Sequence, residues 1–561
     1  MALLHERNPL KHALLGGLFF WSGSELKQII TASGWQYEDW LIFSYILLGA
    51  SAYLFFKAVW QLLFFVIPQA VRYYFVFRPS TRAGSAGWAS PEYLKKKFKS
   101  RKGYLAGLIK KNLPLFIDFE SSLLVLAPAG VGKGVRFVIT TLCHNPINMI
   151  VPDLKGILAV MTGFLREKLF RHITHYMNPS GNYKNILGES ACYNPLQILI
   201  DNWSDPKKHE FIFEDADAIA QQLYPEPARG GDDFYWRSGA RKFMIFAFIY
   251  LVTRKEEDNA TLAKSLTLLS DVNQLVLALN RAKDETILCG DLSVHARDLL
   301  TKMQDGDPKQ IESFREGAVQ ALSVFRPSGS LAKCTNKCDF RFSDMKKKPK
   351  GLLNRKKGMT VYLMADPARI NVYKPFLGLM MWCALTEITR APKGEPVCLL
   401  GDEICNFKIV GLPSFLTLLR EFGVRIILIV QELEEWANIY GRESLQTLLS
   451  QTEAKIIMGV RSHDATRLVS DMLGEETVKT VNYNLSHSFF DNITRTVSET
   501  SRKLKTPDEV RRTDKHIVLL RDERPILLDP VGYHEVHPWK NQVGINPLFG
   551  KKYKGKTKLR L

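Results

Sequence analysis

The stretch from Leu123 to Thr141 reads LLVLAPAGVGKGVRFVITT. Four apolar residues have the character of a buried strand, a glycine-rich turn follows, and a helical pattern begins just after a lysine. The turn follows the shape G-x-x-x-x-G-K-[ST], in which successive backbone N–H groups and a helix N-terminus wrap a phosphate while the lysine reaches the terminal ones. Ala127, Pro128, Ala129, Gly130, Val131, Gly132, Lys133, Gly134 and Val135 are then the phosphate-binding element, with Lys133 as its cation. Two positions depart from the pattern: Ala127 replaces the first glycine, and Gly134 replaces the hydroxyl residue that ordinarily touches magnesium. A glycine-rich turn with a lysine also serves as a plain connector, so its meaning depends on the rest of the chain.

That context comes from two further segments. Val397 to Glu403, VCLLGDE, is an apolar run ending in an acidic pair; Asp402 is placed to hold magnesium and Glu403 to polarise an attacking water. Val424 to Val430, VRIILIV, ends at Gln431, where an amide would sense a γ-phosphate. Strand, cradle, strand, acid pair, strand and amide in this order specify a P-loop NTPase core that takes ATP and Mg. Apolar runs at 115–119, 123–126, 147–151, 360–364, 397–400, 424–430 and 455–460 alternate with helical patterns, which indicates an α/β fold with a mostly parallel sheet. About 270 residues separate cradle from acid pair, too many for one crossover, so a helical domain is expected between them. The expected division is a membrane segment over 1–83, the nucleotide-binding domain over 84–254 and 333–540, an all-α insertion over 255–332, and a basic tail over 541–561.

With 561 residues, 46% hydrophobic and 24% charged, the chain is globular and long enough for several folded units. Its net charge of +19 is concentrated at Leu94–Lys111, at Lys346–Lys357 and from Lys551 onward, and such clusters favour DNA without sequence preference or an anionic membrane surface. Eight cysteines lack paired spacing, and Cys334 and Cys338 have no companion ligands, so reduced thiols are expected. Trp40 to Phe56 is uncharged; carried past Lys57, whose stem can snorkel, the run suffices for a hydrocarbon core of ~30 Å. Ala13 to Trp21 is too short to span alone, and Glu25 and Lys27 interrupt its extension, which leaves one or two spans. Arg7 and Lys11 before the runs, and Arg72, Arg78 and Arg82 after them, put both flanks in the cytoplasm if two spans form.

Several segments, in order, resemble the type IV coupling proteins, membrane-anchored ATPases of conjugation and type IV secretion. They are GSAGWASPEYL (84–94), GKGV (132–135), PDLKG (152–156), YNPL (193–196), DDFYWRSGAR (232–241), GDEICNF (401–407), QELEEW (431–436), IYG (439–441) and TPDEVRR (506–512). The resemblance implies a RecA-type domain with an all-α insertion, anchored in the bacterial inner membrane with its bulk in the cytoplasm. It further implies a homo-hexamer, contacts with components of the secretion channel, and delivery of relaxase–DNA complexes, effector proteins or both. Many members carry G-K-G, so Gly134 is compatible with activity. In such a ring a neighbour's arginine completes the site, and Arg461 is the residue placed to do so. A double-stranded DNA pump and a non-hydrolysing docking receptor are the alternatives.

Overall fold

The computed structural model describes residues 9–33, 38–67, 81–226, 233–254, 260–348, 357–484 and 494–561. Arg7, Arg72, Arg78, Asp232 and most of the basic cluster at 346–357 lie outside them. The chain forms two units, one of residues 1–86 and 474–504, the other of 87–473 and 505–561.

In the first unit, the helix Pro9–Ser33 and the helix Glu38–Gln61 pack side by side. Gly23 permits the approach, since a Cβ there would lie 3.2 Å from that of Leu47. Within the second helix and the turn that continues it, Ile42–Phe64 is long and apolar enough to cross a membrane. Among the described residues no other single helix is, because Glu25 and Lys27 dilute the first. The unit also contains an antiparallel pair of strands, Glu475–Asn484 and Thr494–Lys503. The GSAG segment lies along it: Ala86 N–H donates to Glu475 O at 2.9 Å, and a Cβ on Gly84 would meet the same oxygen.

The second unit is built on strands β1 (Tyr104–Lys110), β2 (Leu113–Ile117), β3 (Ser122–Leu126), β4 (Asn148–Asp153), β5 (His172–Met177), β6 (Gly358–Met364), β7 (Val397–Gly401), β8 (Val424–Val430) and β9 (Ala454–Met458). Two more strands, β10 (His516–Leu520) and β11 (Ile526–Leu528), follow. The main sheet has nine strands in the order β11-β10-β9-β3-β8-β7-β4-β6-β5. It is parallel from β9 to β5, and β10 and β11 extend it antiparallel. Its central strands are buried along their whole length, as their unbroken Val/Ile/Leu runs require when helices cover both faces.

One expected member of this sheet is elsewhere. The run at 115–119 falls in β2, which pairs antiparallel with β1 in a separate two-stranded sheet. The reason is chain length: residues 118–121 alone connect β2 to β3, whereas parallel neighbours need a crossover of about a dozen residues or more. Between β5 and β6 the described residues are largely helical, and helices begin at Gln197, Ile212 and Asp233, upstream of residue 255. Helix Asp233–Val252 packs on Pro308–Leu322, with Phe314 seated where a Cβ on Gly239 would stand. Caps set these helices: Asp271 accepts the N–H groups of Asn273 and Gln274, and Asp307 accepts that of Lys309 next to Pro308.

Candidate phosphate-binding site

The carboxyl ends of β3, β8 and β7 lie side by side, with Leu126 opposite Val430 and Gly401 opposite Leu428. This alignment brings the turn after β3, Gln431 after β8 and the acid pair after β7 to one edge, where open α/β sheets bind ligands. Ala127 N–H donates to Val430 O at 3.0 Å, which ties the turn to the sheet where it begins. Gly130 and Gly132 have φ of +82° and +81°, a backbone that side chains rarely adopt. Arg136 closes the turn with a guanidinium bond to Val131 O at 3.1 Å. Gly134 differs from the other two, since a Cβ there would meet nothing within 4 Å.

Lys133 Nζ stands 3.1 Å from Asp402 Oδ1, and both side chains are largely buried. Neither atom has a hydrogen bond of good geometry, so the ammonium retains donors for an anion and the carboxylate retains an acceptor for a cation. Burial pushes the Asp402 carboxyl above the usual range; Lys133 opposes the shift and Glu403 adds to it. Glu403 has φ of +58°, unusual for a non-glycine residue, and its Oε1 lies 3.5 Å from Lys155 Nζ. Asp153 at the end of β4 is buried and lines the same cavity as Asp402 and Glu403. Burial pushes its carboxyl up to about 7, against the Ala159 N–H that it accepts at 2.8 Å and with the help of the Asp402 charge. These groups surround a cavity of about 210 Å³.

The residues fit a phosphate chain with magnesium: a glycine cradle and lysine for the anion, and carboxylate oxygens for a hard cation. Of the residues expected from sequence, Lys133, Gly134, Val135, Asp402 and Glu403 line this one cavity. Gln431 follows β8 at the same edge, half-buried and outside the cavity lining. Arg461 is exposed just beyond β9, whose end abuts the turn, as a Cβ on Gly459 would lie 3.0 Å from Val131 Cγ1. Asp153 and Lys155 were not among the expected site residues. Their signal was the PDLKG segment closing an apolar strand, with Gly156 in the left-handed region at φ +70°.

The sheet order and the phosphate cavity together define a RecA-type P-loop domain. The model of the type IV secretory system conjugative DNA transfer family matches residues 83–555, and the chain belongs to that family. Protein VirD4 of Rhizobium radiobacter is 23% identical over 420 residues, covering 73% of this chain and 56% of that protein. The conjugal transfer protein TraG of Escherichia coli is 22% identical over 411 residues, covering 69% of this chain and 61% of TraG. The chain thus spans less than two thirds of these relatives' length. Among solved structures, the unbound bacterial conjugative coupling protein TrwBΔN70 aligns with a TM-score of 0.52 at 17% identity, over 80% of this chain and 95% of that one. Plasmid coupling protein TrwB in complex with ADP and Mg²⁺ aligns with a TM-score of 0.50 at 17% identity, over 80% and 96%.

Proposed function

We propose that the chain is an ATP-driven coupling protein that recruits DNA–protein or effector substrates and delivers them to a type IV secretion or conjugation channel at the bacterial inner membrane. The observation that carries this reading is the Lys133–Asp402 pair at 3.1 Å beside the glycine cradle, within a chain that the family model matches from 83 to 555. On binding, phosphate oxygens take up Lys133 Nζ and the N–H groups of the turn 128–134, releasing Asp402 to face the metal. Magnesium, when bound, neutralises charge on the phosphates. Glu403 orients and deprotonates the attacking water, and Gln431 passes the presence of the terminal phosphate to β8. Arg461 reaches into a neighbour's site in a homo-hexamer, and the excess of basic residues holds DNA without regard to sequence.

ATP turnover by the full-length protein in detergent, with and without single-stranded DNA, tests the reading. Lys133→Ala should lower turnover by roughly 10²-fold or more, the loss expected when a preorganised charge contact is removed. Normal turnover by that variant would refute the nucleotide assignment. A wild-type protein that binds nucleotide and never hydrolyses it would indicate a docking receptor.

A further inference from the structure

The carboxy-terminal tail is fastened at both ends to the P-loop domain. Gly544 N–H donates to Met161 O at 2.8 Å, and Leu559–Arg560 pairs in parallel with Val536–His537. Lys558 reinforces that pairing through a 2.8 Å ion pair with Glu535. Between these anchors the tail crosses the phosphate cavity. Buried Asn546, whose Oδ1 accepts the Leu548 N–H, and Tyr553 both line it.

Tyr553 also lines a second cavity of about 710 Å³, together with Phe549 and Lys551, Lys552 and Lys554. The phosphate cavity alone, about 210 Å³, is smaller than the roughly 300–1,000 Å³ usual for organic ligands. A nucleotide with its phosphates on Lys133 must therefore place its remaining bulk outside, and Tyr553 stands on that boundary. The aromatic character there is concentrated. The Tyr553 ring centre is 5.9 Å from that of His534 and 6.3 Å from that of Phe549, and Phe549 is 58% exposed. His534 is held beside the P-loop: a Cβ on Gly532 would touch both its ring and Val135. Its Nδ1 is buried against Gly532, so the imidazole contributes ring surface here and not a hydrogen bond.

We propose that Tyr553, with Phe549 and His534 beside it, is the seat of the nucleotide base, so that the tail completes the nucleotide site in cis. A flat heteroaromatic ring stacks on such a surface without needing matched hydrogen bonds. The inference rests on the nucleotide reading above, and its test separates the two. Calorimetric titration of the full-length protein in detergent with Mg-ADP and with Mg-tripolyphosphate compares a ligand that has a base with one that lacks it. Tyr553→Ala should weaken ADP about tenfold while tripolyphosphate stays within about twofold, since stacking on an aromatic side chain is lost and the phosphate contacts remain. Tyr553→Phe should bind ADP as the wild type does, because the ring and not the hydroxyl acts. Lys133→Ala should weaken both ligands. An unchanged ADP affinity in Tyr553→Ala, or an equal loss of both ligands, overturns the base seat while the nucleotide site stands. A wild-type protein that binds neither ligand removes the nucleotide reading and the base seat with it.

Discussion

At the scale of single residues, the function proposed above has the acid pair divide its work by position. Asp402 faces Lys133, whereas Glu403 is turned by its left-handed backbone toward Lys155. Glu403→Gln should therefore retain Mg-dependent nucleotide binding and lose turnover on the order of 10²-fold, the usual contribution of a positioned general base. Asp402→Asn should weaken Mg-dependent binding itself. Equal affinities and equal rates for the two variants would contradict this division. Gly134 offers a second comparison, because open space surrounds its Cα and the missing hydroxyl is not a steric necessity. Gly134→Ser should fold and should lower the magnesium concentration for half-maximal turnover by about a few-fold, by supplying another oxygen ligand. An unchanged magnesium titration counts against that. Lys133, Asp402 and Glu403 were legible in the sequence because each follows an apolar strand within one short segment. Asp153 and Lys155 also close an apolar run, in PDLKG, but what brings them to Asp402 is β4 lying beside β7, a pairing between segments about 250 residues apart in the chain.

At the scale of elements, β5 shows what periodicity misses. It is a sheet edge whose HITHYM sequence lacks the apolar run of the central strands, so it was absent from the expected strands, and its place is set by non-local contacts. Fully buried Arg166 on helix Ile157–Phe170 donates to the carbonyls of Leu142, Asn145 and Ile147 and to Thr360 Oγ1 on β6. His172 of β5 joins this network, with Nε2 3.0 Å from Pro146 O and Nδ1 2.9 Å from Thr360 Oγ1. Nε2 thus carries the proton and Nδ1 accepts. Burial, with the Arg166 charge adding to it, pushes the imidazole down to about 3. In the unfolded chain the same group protonates near 6.5, so between about 3 and 6.5 the unfolded state binds more protons. The stability from this neutral histidine is complete above about pH 6.5 and falls by about 1.4 kcal/mol per pH unit below it. His172→Gln should flatten the urea midpoint of the P-loop unit between pH 6.5 and 5 relative to wild type. Parallel pH profiles would show that His172 does not carry the dependence, and taking the difference sets aside His516, which burial pushes down to about 4.

At the scale of the molecule, the function proposed above assigns the segment Ile42–Phe64 and the edge carrying Arg461 to assembly rather than to chemistry within one chain. The apolar helix presents Ile42, Phe43, Ile46, Phe55 and Phe56 outward, a surface that water rejects and a bilayer accepts. In the ring proposed above, this segment raises the local concentration of subunits, and Arg461 enters the site of the next. Removal of residues before Gly84 should then give a soluble, mostly monomeric P-loop fragment, because the cytoplasmic contacts must supply the association alone. Its specific ATPase activity should rise with protein concentration, since each site is complete only after a neighbour docks. Arg461→Ala in the full-length protein should lower turnover while leaving ADP affinity unchanged, because Lys133 and the turn, proposed to bind the phosphates, belong to the same chain. Sedimentation beside a rate-versus-concentration series makes the comparison. A monomeric fragment whose specific activity is constant across concentrations and equals that of the full-length protein in detergent would rule out both the neighbour's arginine and an assembly role for the membrane segment. Concentration dependence in the fragment together with wild-type turnover by Arg461→Ala would keep the ring and transfer the completing role to another residue at the subunit boundary.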